Sequence, residues 1–202
     1  MWIFKIGGSW IMNHQLDELL SLISKFNNEK ISIVTGGGCF ADSVREAFNN
    51  SSMDEKTGNF LALKSTEIFA HFLKCKNPIF FLSEEENEFC NEKIKVWLPS
   101  KKLSNDSSFI RSWNSTSDSV AAWLGNKIFS SGIIFIKSLS FESGKTYSLQ
   151  ELQQQGVLDE NINFYLSKNK IIKIVGPEII EYFKKSKTLN ELIFKLCDVS
   201  VK

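Results

Sequence analysis

The chain has few of the residues that mark metal-bound or disulfide-linked folds. Its four cysteines are far apart and form no C-x-x-C pair, so a zinc site and a disulfide framework are both disfavoured and we predict free thiols. The two histidines, His14 and His71, have no partner at metal-ligand spacing, and we expect both to be structural. We therefore expect no protein-held metal.

The chain also lacks an excess of charge and any long hydrophobic run. Its formal net charge is +1, which gives no electrostatic basis for binding nucleic acid or an acidic membrane. Apolar runs reach only about six residues, well short of the roughly 20 that a membrane helix needs. The opening "MWIFKIGG" has neither the basic start nor the long apolar core of a signal peptide. These features predict a cytoplasmic globular protein.

Short apolar runs alternate with helical patterns along the 202 residues. Strands are predicted at 2–6, 31–34, 79–82, 94–98, 133–137 and 171–175. Apolar residues at spacings of three and four predict helices after the strands at 2–6, 31–34 and 171–175, a longer helix before the strand at 79–82 and a helix from about Ser117, with a polar loop over 100–108 and a final helix through Leu196. Near-continuous apolar strands that alternate with helices form a parallel sheet covered on both faces, so the pattern predicts one α/β domain.

Two glycine clusters each lie between a predicted strand and a predicted helix. Gly7 and Gly8 follow the first strand, and Gly36 to Gly38 follow the second. Glycine lets a backbone approach an anion closely, and the start of a helix favours negative charge. The pattern therefore favours two adjacent phosphate subsites at the carboxyl edge of one sheet. The alternative is a pair of tight turns without a ligand.

Two rival phosphate motifs are poorly supported by their context. Gly36, Gly38 and Ala41 satisfy the dinucleotide pattern G-x-G-x-x-A, but the acidic residues at the required distance, Asp54 and Glu55, lie in a polar stretch without a strand. The segment "SGKT" (143–146) resembles the end of a P-loop, although Leu139 stands where that motif needs glycine.

Two lysines and an aspartate are candidates for the chemistry. Lys5 and Lys137 each lie at the carboxyl end of an apolar strand, where a buried ammonium group is costly unless an anion meets it. Asp118 lies at a predicted helix start and could hold both lysines in position. The alternatives are lysines that extend to solvent and an aspartate that only stabilises the first helical turn.

Three motifs together resemble the amino acid kinase family, which includes aspartate, glutamate and uridylate kinases. They are "KIGGSW", "TGGGCFADSVREAF" and "TSDSVAAWLG", and the resemblance is clear over 1–75 and 111–138 and faint over 150–202. Within the family, "GGGCFADSVR" and "WNSTSDSVAAWL" are most similar to the branch that phosphorylates an aminomethylfuran phosphate in methanofuran-type cofactor biosynthesis.

The resemblance implies a three-layer α/β sandwich around a mainly parallel sheet. It implies a single domain over 1–202, with an acceptor half at about 1–110 and a nucleotide half at about 111–202. The implied catalytic residues are Lys5, Asp118 and Lys137. The implied nucleotide- and phosphate-binding residues are Gly7, Gly8, Ser9 and Ser138, and the implied acceptor-binding residues are Gly36, Gly37, Gly38, Asp42, Arg45, Thr116 and Ser117.

The resemblance also implies an activity. It predicts an ATP-dependent kinase that acts with Mg²⁺ on a small-molecule acceptor and forms a homo-oligomer. The branch resemblance points to a phosphorylated primary amine as the acceptor, which would make the product a diphosphate. An amino acid or a nucleoside monophosphate stays open as the acceptor. A non-catalytic nucleotide- or oxyanion-binding protein on the same fold is the alternative function.

Overall fold

The computed structural model describes residues 1–166 and 170–201, so 167–169 and 202 of the predicted nucleotide half lie outside the described residues. The described strands form one eight-stranded sheet. They are β1 (Trp2–Ile6), β2 (Ile31–Thr35), β3 (Phe80–Ser83), β4 (Ile94–Trp97), β5 (Gly132–Ile136), β6 (Thr146–Ser148), β7 (Ile171–Val175) and β8 (Cys197–Ser200). Their order is β3-β4-β2-β1-β5-β7-β8-β6, and every neighbouring pair is parallel except β7 with β8.

Helices cover both faces of the sheet. They are α1 (Leu16–Ser24), α2 (Gly38–Asn49), α3 (Glu55–Lys76), α4 (Ser100–Asn105), α5 (Ser117–Lys127), α6 (Leu149–Gln154), α7 (Ile179–Lys184) and α8 (Leu189–Lys195). Short 3₁₀ helices lie at Gly8–Met12 and Glu160–Phe164. The predicted three-layer α/β sandwich is thereby confirmed.

The side chains of the central strands divide between two hydrophobic cores. Phe4 of β1 packs into one core with α1, α7 and α8, whereas its neighbour Ile3 packs into the other core with α5 and α6. The alternation follows from the strand geometry, in which successive side chains point to opposite faces. The nearly continuous apolar strands predicted from the sequence are those that helices cover on both sides.

Two segments take a structure other than the predicted one, and β6 and α6 form over 146–154, where no element was predicted. The expected loop over 100–108 begins with α4, whose first N–H, on Ser100, donates to the Glu67 carboxylate at 2.8 Å. The expected final helix ends at Lys195, and Cys197–Ser200 form strand β8 instead. In both places, partners distant in sequence stabilise an element that has little local signal.

Two further expectations concern free thiols and membrane-spanning helices. The four cysteines are free, with Cys39, Cys75 and Cys90 exposed and Cys197 buried. Within residues 1–166 and 170–201, no helix is both long enough and apolar enough to cross a membrane.

Candidate active site

The two glycine turns touch each other at the carboxyl edge of β1 and β2. A Cβ atom on Gly8 would lie 2.1 Å from the backbone nitrogen of Gly38, and one on Gly36 would lie 2.3 Å from the nitrogen of Gly8. Gly38 also has a φ of +53°, a conformation that L side chains rarely adopt. Only glycine allows this backbone-to-backbone contact, so the two predicted phosphate subsites lie side by side.

The first turn is also tied to the end of β5. The Gly7 N–H donates to the Ile136 carbonyl at 2.8 Å, and the indole N–H of Trp10 donates to the Lys137 carbonyl at 3.0 Å. Trp10 is fully buried, so these contacts belong to the core. They fix the position of Lys137, the residue directly after β5, relative to the turn that follows β1.

The strand register brings Lys5 and Lys137 together. Lys5 of β1 is paired with Phe135 of β5, and Lys137 lies two residues beyond Phe135. Residues two apart in an extended chain point to the same face. Phe135 and Ile3 both pack toward α5, so the two lysines point toward the helix that carries Asp118.

Asp118 binds both lysines. Its Oδ1 lies 2.8 Å from Lys5 Nζ, and Lys137 Nζ lies 2.9 Å from Oδ1 and 2.7 Å from Oδ2. Asp118 is only 3% exposed and Lys5 only 4%. Two buried ammonium groups share one carboxylate, which leaves an excess of one positive charge when all three groups are ionised.

Burial and the neighbouring charges shift the pKa values in this cluster. Burial alone would raise the pKa of Asp118, but Lys137 and Lys5 together hold it below its ordinary value. Burial lowers the pKa of Lys137 to about 8, although Asp118 opposes that shift, and Lys5 lowers it further by repulsion. Lys137 is therefore a lysine that can lose its proton close to neutral pH.

A cavity of about 260 Å³ opens over the two glycine turns. All seven predicted acceptor-binding residues line it, as do Gly8 and Ser9; the seven are Gly36, Gly37, Gly38, Asp42, Arg45, Thr116 and Ser117. The other two predicted phosphate-binding residues lie outside its walls: Gly7 is buried, and Ser138 is exposed beside Lys137.

Two residues that were not predicted as site residues also line the cavity. Asn59 on α3 and Trp113 in the loop before α5 both line it. Asn59 is 3% exposed, and its Nδ2 donates to the carbonyls of Ser112 (2.9 Å) and Ser115 (3.4 Å). Its Oδ1 is buried and has no hydrogen-bond partner in the described part of the chain. Asn59 falls in no motif identified from the sequence, whereas Trp113 is the first residue of the motif "WNSTSDSVAAWL", from which no role was predicted for it.

Arg45 and Trp113 form one side of the cavity. The Arg45 guanidinium lies 5.5 Å from the centre of the Trp113 ring and donates to Asp42 at 3.1 Å. Trp113 also packs edge-on against Phe48 of α2, with 5.2 Å between the ring centres. The wall thus combines an aromatic surface with an exposed cation that is paired with Asp42, so an anionic ligand would compete with that carboxylate for Arg45.

Asp159 is the remaining charged residue of the site that sequence reasoning missed. Its carboxylate accepts hydrogen bonds from the N–H groups of Thr116 (2.8 Å) and Ser119 (2.9 Å). Burial and the charge of Asp118 raise its pKa. Asp159 lies 41 residues after Asp118 in an irregular segment, where no pattern marks it.

The described residues contain no group of three or more His, Cys, Asp or Glu side chains placed to hold a metal ion. Asp118 and Asp159, the carboxylates beside the lysines, are already engaged by ammonium and N–H groups. The donor set therefore does not form a dedicated magnesium cage.

Comparison with solved structures identifies the fold. The chain superimposes on uridylate kinase from Archaeoglobus fulgidus with a TM-score of 0.69 at 14% identity, over 98% of this chain and 99% of that one. Aspartate kinase from Synechocystis gives a TM-score of 0.66 at 10% identity, over 100% of this chain and 40% of that one. At these identities the likeness shows a shared fold.

Sequence comparison gives a nearer relative. Over 132 residues the chain is 35% identical to the [5-(aminomethyl)furan-3-yl]methyl phosphate kinase of Methanocaldococcus jannaschii. The match covers 62% of this chain and 60% of that protein. No protein-family model matches the chain. Fold and sequence similarity together confirm the predicted resemblance to the amino acid kinase family.

Proposed function

We propose that the protein is an ATP-dependent phosphotransferase that acts on a small molecule. The observation that carries this proposal is the placement of Lys5 and Lys137 on one buried carboxylate, Asp118, beside two glycine turns that touch. A protein that only binds anions needs positive charge, but it does not need a buried aspartate that fixes two lysines relative to each other. The similarity to a phosphate kinase supports the same activity.

Phosphoryl transfer requires positioning and charge stabilisation more than covalent chemistry. In the transition state, negative charge spreads over the oxygens of the transferred group, and fixed positive charges stabilise it there. Lys5 and Lys137 supply these charges, and the first glycine turn supplies N–H donors at Gly8 and Ser9, because the Gly7 N–H is bound to the Ile136 carbonyl. Asp118 keeps the two ammonium groups together against their mutual repulsion. The acceptor oxygen attacks the γ-phosphorus directly, and ADP leaves.

Mg²⁺ enters this proposal bound to the nucleotide. Magnesium usually keeps several waters and binds through substrate phosphates and few protein carboxylates. The lack of a carboxylate cage in the described residues fits that mode of binding. The ion would neutralise phosphate charge, while Lys5 and Lys137 orient the phosphoryl group.

We place the acceptor in the cavity and the nucleotide on the side of Ser138. The cavity is lined mainly by residues of the acceptor half, together with the loop before α5. Ser138 follows Lys137 at the end of β5 and is exposed, so it can reach nucleotide phosphates. In this proposal the phosphoryl group lies between the two halves, over Lys5 and Lys137.

An aminomethylfuran phosphate is the proposed acceptor, with a diphosphate as the product. The name of the relative from Methanocaldococcus jannaschii points to this compound. The branch resemblance in the sequence extends the proposal to methanofuran-type cofactor biosynthesis. In the cavity, Trp113 and Leu63 offer an apolar surface to a flat ring. The unpaired Oδ1 of Asn59 would accept a hydrogen bond from the amino group, since a buried acceptor without a partner costs about 1–3 kcal/mol.

A homo-oligomer is proposed from the surface of α3. Phe60, Ile68 and Phe72 recur at multiples of four residues along this helix and are 36–48% exposed. Such a stripe lies on one face of the helix, and a second copy of the chain could cover it.

Three exposed free cysteines are compatible with the predicted cytoplasmic setting, where thiols stay reduced.

The test is ADP release with Mg·ATP over a panel of acceptors. The panel contains aminomethylfuran phosphate, its analogue without the amino group, UMP and aspartate, with a blank that lacks any acceptor. We expect turnover with aminomethylfuran phosphate and a higher KM for the analogue. Asn59→Leu should remove that difference in KM. Turnover with UMP or aspartate alone would reassign the acceptor, and nucleotide binding without turnover would favour the non-catalytic alternative.

A further inference from the structure

The start of α5 is capped by a residue distant in sequence. Thr116 is the N-cap residue, but its side chain accepts no hydrogen bond from the helix. Asp159 Oδ2 accepts from the N–H groups of Thr116 and Ser119 at 2.8 and 2.9 Å, and Oδ1 accepts from the Thr116 hydroxyl at 2.5 Å. These N–H groups are among those that a helix start leaves unsatisfied. Asp159 therefore takes the place of an N-cap side chain for α5.

The capped turn is the one that carries Asp118. Asp118 lies between Thr116 and Ser119, in the first turn of α5, and its side chain binds Lys5 and Lys137. The carboxylate of Asp159 thus fixes the backbone on both sides of Asp118. A displacement of this turn would move the point on which both lysines converge.

Asp159 is itself held in place. The side-chain amide of Gln153, on α6, donates to the backbone carbonyls of Asp159 and Glu160, each at 2.9 Å. Two residues further on, Asn161 donates to the hydroxyls of Ser112 (3.2 Å) and Ser115 (2.9 Å). The segment 159–161 therefore braces both the helix start that bears Asp118 and the loop that forms one wall of the cavity.

We infer that Asp159 is a positioning residue for phosphoryl transfer, which acts through the first turn of α5 to hold Asp118 between Lys5 and Lys137. The inference rests on the proposed kinase activity. Asp159 makes its hydrogen bonds to Thr116 and Ser119 and acts on the lysines through Asp118. The charge of Asp159 also raises the pKa of Lys137, but we expect its hydrogen-bond geometry to matter more for the site.

Two substitutions separate geometry from charge. Asp159→Asn keeps the length of the side chain: one oxygen can accept both N–H groups, and the amide can donate to the Thr116 hydroxyl. Asn caps helices about as well as Asp. Asp159→Glu keeps the charge but adds a methylene group, which displaces the first turn of α5. A misplacement of about 1 Å can cost about 10²-fold in rate.

The experiment compares kcat and KM for ADP release in wild type, Asp159→Asn and Asp159→Glu. We expect kcat within about threefold of wild type for the Asn variant and a loss of about 10- to 100-fold for the Glu variant, with the KM for ATP little changed. Thr188→Ala is the matched control, because Thr188 caps α8 through the Glu191 N–H at 3.2 Å, outside the site. Its melting temperature should fall while its kcat stays at the wild-type value.

Any other combination of kcat values in the Asp159→Asn and Asp159→Glu variants contradicts the inference. A normal Glu variant with an inactive Asn variant would mean that charge matters and position does not. Normal activity in both would make Asp159 dispensable, and loss in both would show that the cap alone is insufficient. Hydrogen exchange of the Ser119 amide tests the cap without activity: it should be slow in wild type and Asp159→Asn and faster in Asp159→Glu. If wild type itself released no ADP, the proposed function would fail, and the exchange result would still decide the cap.

Discussion

Lys137 holds both carboxylate oxygens of Asp118, with its Nζ 2.7 Å from Oδ2 and 2.9 Å from Oδ1. This two-point contact fixes the direction of the ammonium group as well as its distance. Lys5 approaches Oδ1 from the neighbouring strand at 2.8 Å. The cluster is preorganised, so the proposed phosphoryl transfer would need little reorganisation of the lysines.

Removal of Lys5 should reduce catalysis much more than nucleotide binding. For Lys5→Ala we expect kcat to fall by about 10²–10³-fold, the scale seen when one electrostatic donor to a transition state is removed. Lys173→Ala is the matched control, because Lys173 is also a buried strand lysine and pairs with Asp198 at 2.8 Å. Steady-state ADP release, with ATP affinity measured by calorimetry, separates the two effects. An equal loss of kcat in both variants would point to damaged folding.

The activity should decline at alkaline pH. Burial lowers the pKa of Lys137 to about 8, and in the proposed mechanism its charged form stabilises the transferred group, so kcat/KM should fall as the pH rises through about 8. Bound ATP favours the charged lysine, so the decline in kcat should come at a higher pH. Arginine stays protonated throughout this range, and Lys137→Arg should therefore lack the alkaline decline.

Lys95 provides the control for the pH profile. Burial also lowers its pKa to about 8, but its ammonium group donates to the carbonyls of Glu85 and Glu86, outside the phosphoryl centre. The Lys95→Met variant should keep the wild-type decline. Loss of the decline in this variant would assign the titration to Lys95 and contradict the role of Lys137.

The contact between the two glycine turns should be sensitive to a single methyl group. In Gly38→Ala the new Cβ would lie 2.5 Å from the Gly8 carbonyl oxygen, whereas in Gly144→Ala it would meet nothing within 4 Å. Both glycines have positive φ, so both variants carry backbone strain. We expect Gly38→Ala to lose about 1–3 kcal/mol more in the free energy of unfolding, measured with urea, because of overpacking. Equal losses would mean that the turns separate easily.

Much of the fold follows from local sequence, because helices cover the central strands on both faces and each such strand is a short apolar run. The elements that escaped prediction depend on distant partners. The first turn of α4 is held by Glu67, and β8 forms because β7 and β6 pair with it. The segment "SKKLSN" contains one apolar residue, Leu103, which gives too little periodicity for a helix prediction.

Only part of the candidate site could be predicted from the sequence. Lysines occur in four of the apolar strand segments, and all four are largely buried. Lys95 and Lys173 lie inside their strands and meet other partners, whereas Lys5 and Lys137 reach the carboxyl edge. That position is what distinguishes the pair. Asn59 and Asp159 act through contacts with residues more than 35 positions away, and no local pattern can report such contacts.

The kcat of Asp118→Asn tests the central claim most directly. Asparagine keeps the shape and hydrogen bonding of the side chain but removes the charge that holds Lys5 and Lys137 together, and the lost interaction of that charge with the start of α5 is worth only about 0.3–1 kcal/mol. With Mg·ATP and aminomethylfuran phosphate, and with circular dichroism as the control for folding, we predict a loss in kcat of about 10²-fold or more. A folded Asp118→Asn variant with wild-type kcat would contradict the account, because Asp118 would then only stabilise the start of α5.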